Sequence, residues 1–134
     1  MKNIYLIITV LFLSTSILAD EFDAKDLKRW QDEFEVVAKY GRQLWENSAK
    51  NIKLGSNNVS CAQCHPNGAN THPETYPKFQ KQIGKVISIA EMVNWCIRNP
   101  LEGKPLQLDS KEMTAILAYV YKERKGVKLN PGAH

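Results

Sequence analysis

Cys61-Ala62-Gln63-Cys64-His65 puts two thiols and an imidazole within five residues, and this C-x-x-C-H spacing is the one at which a c-type haem is covalently attached. Two intervening residues make one tight turn, so both sulfurs reach one edge of a porphyrin for addition across its vinyl groups. The next residue then turns its ring towards the iron. Cys61 and Cys64 are the expected thioether positions and His65 the expected proximal ligand. A chain that carries this motif must fold around a large flat apolar cofactor, which limits its architecture more than any other feature of the sequence.

Other uses of the same residues fit less well. A thioredoxin-type pair follows a strand in a βαβ context, whereas Asn57-Asn58-Val59-Ser60 reads as a polar loop. Zinc would need a fourth ligand at recognisable spacing, and only His72 or Cys96 could supply one, by coincidence.

The first residues read as a secretory leader. Met1-Lys2-Asn3 is basic, Ile4 to Leu13 is apolar except for Thr9, and Ser14 to Ala19 is rich in small residues before Asp20. A membrane-spanning helix needs about 20 apolar residues, more than this run offers. The expected organisation is a signal peptide over 1–19, one domain over 20–126 and a mobile C-terminal tail over 127–134 that holds His134. Cleavage would deliver a periplasmic protein with no stable membrane insertion, where covalent haem attachment of this kind takes place. The cleaved chain would carry 17 Lys and Arg against 14 Asp and Glu, and two haem propionates bring that balance close to neutral. Such a charge gives no reason to expect a nucleic-acid partner.

The remaining pattern is helical. Leu27, Trp30, Phe34, Val37, Gly41 and Leu44 recur at three- and four-residue steps and predict a first helix from Asp23 to about Ala49, with Trp30 and Trp45 packing it. Pro66 to Pro77 holds three prolines and a glycine and predicts a wrapped loop, with a short helix around Lys78 to Lys85. Ser88 and Glu91 make a capping box for a helix over Ile89–Asn99, closed by Pro100. A last helix begins at Asp109 or Ser110 with Glu112 completing its cap, and ends before Gly126. No β pattern is evident. The expected fold class is all-α, one domain wrapped around one haem.

This order of elements resembles the class I cytochrome c fold over nearly the whole cleaved chain. The resemblance implies that Gly41 admits a close crossing by the last helix, with Tyr119 or Tyr121 packed there. It also implies that Pro77, twelve residues after His65, offers its carbonyl to the proximal histidine, with Pro73 as a competitor. The methionine that is usually the sixth ligand is missing from Leu101 to Leu108, which leaves Cys96, Met92, Met113 and His72 as candidates. Met92 and Cys96 are four residues apart on one helix face. Cys96 is the odd thiol once the haem has taken two, and coordination would both protect and use it.

Trp95-Cys96-Ile97, Gly103-Lys104, Pro105-Leu106, Asp109-Ser110, Glu112-Met113 and Ala118-Tyr119 are similar to the haem domain of thiosulfate dehydrogenases and of the A subunit of the Sox sulfur-oxidation complex. That resemblance implies Cys96 as the distal ligand to a low-potential His/Cys haem. Those proteins typically carry two haem domains, and this chain has a single C-x-x-C-H. The function expected is a monohaem electron carrier between redox proteins, one of which could be another cytochrome, in sulfur-compound oxidation. A catalytic haem subunit of a thiosulfate-oxidising enzyme and a gas-binding sensor are the alternatives. Lys78, Lys81, Lys85 and Lys104 would form a positive rim for an acidic partner or an anionic sulfur compound, and Trp95 would lie beside the haem.

Overall fold

A computed structural model describes residues 22–47 and 54–128. The expected signal peptide over 1–19 lies outside these residues, as does most of the expected tail.

Helix α1 spans Ala24–Asn47. The Asp23 carboxylate caps it by accepting from the backbone N–H of Lys25 and Asp26, both at 2.8 Å. Its two halves differ. The C-terminal half buries Ala38, Gly41, Leu44 and Trp45, while Leu27, Trp30 and Phe34 on the N-terminal half remain exposed. Trp30 is therefore not a core residue; its contact is the ring of Phe22, edge-on at 4.7 Å.

The last helix, α4, runs Lys111–Glu123 and buries Met113, Ala115, Ile116, Ala118, Tyr119 and Val120. It crosses α1 at Gly41 so closely that a Cβ there would lie 1.8 Å from the Ala115 carbonyl oxygen. Only glycine has no atom at that place. Tyr119 fills the crossing at 2% exposure, whereas Tyr121, at 47%, faces solvent. The Ser110 hydroxyl caps α4 by accepting from Met113 N–H at 3.2 Å. Glu112 does not complete that cap: it stands one residue short of the position from which a side chain reaches back, and accepts instead from Tyr40 Oη at 3.4 Å.

Helix α3, Ile89–Arg98, has the capping box that Ser88 and Glu91 predict: Ser88 Oγ accepts from Glu91 N–H at 3.2 Å, and the Glu91 carboxylate accepts from Ser88 N–H at 2.8 Å. Buried Asn94 clamps the following loop to this helix, donating to the Leu106 carbonyl and accepting from the Leu106 N–H, both at 2.8 Å. The core unites Leu44 and Trp45 of α1, Ile97 of α3, Ile116, Tyr119 and Val120 of α4, and Leu54 and Leu101 from the loops.

Two expectations require correction. The segment read as a short helix around Lys78 to Lys85 is a β-hairpin, and so the chain is not purely α. Strands β1, Lys78–Gln80, and β2, Lys85–Ile87, pair antiparallel with Phe79 opposite Val86. Gly84 explains the difference: its φ of 78° is left-handed and reverses the chain, and its N–H closes the turn on the Gln80 carbonyl at 2.7 Å. Two 3₁₀ turns, Pro66–Gly68 and Pro73–Thr75, shape the proline loop before it.

Three substitutions test this architecture. Gly41→Val should destabilise the domain by about 3 kcal/mol, since backbone must move to admit the side chain, while Tyr121→Ala should stay within about 0.5 kcal/mol; urea unfolding of the haem-loaded protein reads both. Asn94→Leu should cost about 2 kcal/mol in the same assay, because it strands both backbone groups of Leu106 in a part-buried loop.

Candidate haem site

The C-x-x-C-H motif folds as a single helical turn, α2, Cys61–Cys64, with His65 at its C-terminal end. Gln63 shapes this turn: its side-chain oxygen accepts from Ser60 N–H at 2.9 Å, while His65 N–H donates to the Cys61 carbonyl at 2.9 Å. Cys61 is half-buried and Cys64 exposed. A second anchor comes from α1, where Trp45 Nε1 donates to the His65 carbonyl at 2.9 Å.

The His65 ring is oriented from within the same loop. Its Nδ1 lies 2.9 Å from the Ala69 carbonyl oxygen. A carbonyl can only accept, so the proton sits on Nδ1 and Nε2 keeps a bare lone pair of the kind a metal takes. This corrects the expectation for Pro77. Ala69, and neither Pro77 nor Pro73, provides the carbonyl, because the tight turn after His65, with Asn67 at φ 51°, brings the chain back under the ring within four residues.

α2 and His65 form one wall of a cavity of about 390 Å³. α3 forms another, and it brings both Met92 and Cys96 to the cavity together with Trp95. The other candidates fare differently. Met113 is fully buried and is not on this wall, so it is withdrawn as a sixth ligand. His72 lines the cavity, but its Nδ1 is 3.1 Å from Glu74 Oε1 and 3.5 Å from an Arg124 guanidinium nitrogen. Of the four rim lysines, Lys78 alone lines the cavity. Lys85 pairs with Glu91 at 3.2 Å, and Lys81 and Lys104 point into solvent.

Burial pushes the Cys96 thiol up to about 11, with negative charge on Cys61 and Cys64 adding to the effect. Thioether formation would abolish those two charges, leaving desolvation as the cause that persists. A thiol so placed is neutral at ordinary pH unless a cation neutralises the thiolate, which ferric iron would do. The fit to haem is therefore chemical as well as spatial: paired thiols on one turn, an imidazole with a bare Nε2, a sulfur donor on α3, and apolar lining from residues such as Ile89, Val93 and Leu101. Among the described residues no cluster of three or more His, Cys, Asp or Glu is placed to hold a bare metal ion.

Sequence reasoning missed Ala69, Gln63 and Asn94. The first acts through its backbone and carries no side-chain signal. The other two are polar residues whose partners come from the fold.

Comparison with known proteins agrees with this geometry. A family model described as SoxA/TsdA, cytochrome c domain, matches residues 40–129. A thiosulfate dehydrogenase of Psychrobacter arcticus is 32% identical over 98 residues, covering 66% of this chain and 30% of its own length. A thiosulfate dehydrogenase of Stutzerimonas stutzeri is 34% identical over 94 residues, covering 63% and 31%. The L-cysteine S-thiosulfotransferase subunit SoxA of Rhodovulum sulfidophilum is 22% identical over 114 residues, covering 83% and 38%. The chain thus spans about a third of the length of these curated relatives. The family match runs from the C-terminal half of α1 through α4 and takes in every element that frames the cavity, so the chain belongs to the SoxA/TsdA cytochrome c domain family, whose cofactor is haem c.

Proposed function

We propose that this protein is a monohaem c-type cytochrome that works in the periplasm, carrying one electron at a time between redox partners in the oxidation of sulfur compounds. One observation carries the reading: a single C-x-x-C-H turn and Cys96 line the same cavity. Bound there, haem supplies one-electron exchange between ferric and ferrous iron. The protein's own residues do the rest. Cys61 and Cys64 would tether the cofactor, His65 would hold its iron through Nε2, and Ala69 keeps that ring's proton on Nδ1. Cys96, with Met92 one turn before it, would supply the second donor to the iron, and a thiolate donor would favour the ferric state and a low potential.

Localisation rests on the leader-like residues 1–19 and on the compartment in which haem is attached. Among the described residues no helix is long and apolar enough to cross a membrane.

A second reading, a catalytic haem subunit for thiosulfate, draws support from the names of the relatives and from the presence of a half-buried thiol and a lysine in the lining of one cavity. The carrier reading needs no second haem domain and is preferred.

Replacing Cys96 by methionine should raise the reduction potential and remove the thiolate signature from the spin-resonance spectrum of the oxidised protein; an unchanged spectrum and potential would exclude thiolate ligation. With ferricyanide as acceptor, the isolated protein should oxidise no thiosulfate, and turnover in that assay would favour the enzyme. The reduced protein should bind carbon monoxide slowly, since rapid binding is the mark of an exchangeable sixth position.

A further inference from the structure

Beyond the body of the domain, α1 keeps its apolar stripe but loses the surface on which to bury it. Val37 is the first residue of the helix packed against the core. Going towards the N-terminus, the last ion pair with α4 among the described residues is that of Glu35 with Lys122. Residues 24–36 therefore run as helix beside solvent for about 20 Å. On that stretch Leu27, Trp30 and Phe34 continue the three- and four-residue spacing that buries Gly41 and Leu44 further along, and Phe22 adds its ring to Trp30. Phe22 and Leu27 are each 57% exposed, and Trp30 and Phe34 39%. With aromatic side chains of roughly 150–250 Å², this makes an apolar patch on the order of 400 Å², a size that marks contact sites on protein surfaces. An overhanging helix with no neighbour is polar all round; this one has the pattern of a helix with a partner.

The charges beside the stripe identify that partner. Asp26, Arg29 and Glu33 follow one flank, while Ala24 and Gln31 on the other are uncharged. Arg29 holds Asp26 at 3.1 Å, and Glu33 has no ion pair among the described residues. An identical helix laid antiparallel, with a two-fold axis near Trp30 and Gln31, sets the three apolar residues against the same three in reverse order. It also puts Arg29 beside Glu33 of the second copy and, by symmetry, Glu33 beside that copy's Arg29. A parallel copy gives no such pair, since Glu33 then faces the uncharged flank. Two patches, about 800 Å² in all before the charged rim is counted, approach the roughly 1,000 Å² at which specific association begins, so the contact is a dissociable one. We propose that the overhang of α1 is a self-association surface and that the protein forms a two-fold symmetric dimer through antiparallel α1 helices. The cavity takes no part in this pairing, which holds or fails independently of the haem reading.

The test is sedimentation of the full haem-loaded protein over a concentration series, as wild type, Trp30→Ser, Arg29→Glu, Glu33→Arg and the double reversal R29E/E33R. These side chains are all exposed, so the visible absorbance and helical circular dichroism of every form should match the wild type. The wild type should show a reversible equilibrium between monomer and dimer. Trp30→Ser should abolish it. Each single reversal should weaken it about tenfold, because like charges then meet at both symmetric contacts, and the double reversal should restore it. A wild type that stays monomeric throughout overturns the proposal and leaves the stripe to a different protein. A dimer indifferent to Trp30→Ser uses another surface, and one that the double reversal does not restore is not paired antiparallel; either result overturns the proposal as well.

Discussion

Helices α1 and α4 meet backbone to backbone at Gly41, and the rest of the domain is arranged around that approach. Because nothing projects from Gly41, the Ala115 carbonyl occupies the space that a Cβ would take. Tyr119 then comes within 5.8 Å of Trp45, ring centre to ring centre. Trp45 in turn reaches the His65 carbonyl with its indole N–H. A steric allowance at one residue is thus relayed through two aromatic rings to the proximal side of the cofactor site. The ion pair between Lys122 and Glu35 fastens the far end of α4 to α1, but both groups are exposed and contribute little by comparison.

The opposite side of the cavity depends on different physics. There α3 is held by its capping box and by the two-way bond between Asn94 and Leu106, and it presents Cys96 in surroundings that penalise charge. A low dielectric makes the thiol inert by itself and makes a thiolate bound to ferric iron a strong electrostatic pair. The same burial that would silence Cys96 as a free nucleophile suits it as a ligand.

Much of this was legible in the residues. The long stripe ending in Leu44 and the Ser88–Glu91 box have local signatures that tertiary structure did not override, while the crossing at Gly41 is legible only through the resemblance to the class I cytochrome c fold. The hairpin was misread because Lys78 to Lys85 has no clear period, and the decisive signal, a left-handed Gly84, is equally compatible with the end of a helix. Tyr119 could not be separated from Tyr121 by composition; only the rotation of α4 against Gly41 distinguishes them. The Pro77 assignment failed because a backbone carbonyl is donated by position and not by residue type, and the turn at Asn67 brings Ala69 to the ring first.

The short range of the bonds around His65 has a bearing on maturation. From the Ser60 N–H held by Gln63, through His65 N–H on Cys61, to the ring on Ala69, the hydrogen bonds that arrange both thiols and the imidazole close within ten residues of chain. Closing such short loops costs little entropy, so this half of the site does not wait for distant helices to dock. Cys96 belongs to a separate helix and joins only when the domain collapses. The polypeptide is in this sense divided into an early half that can be handed its pigment and a late half that sets the pigment's redox character.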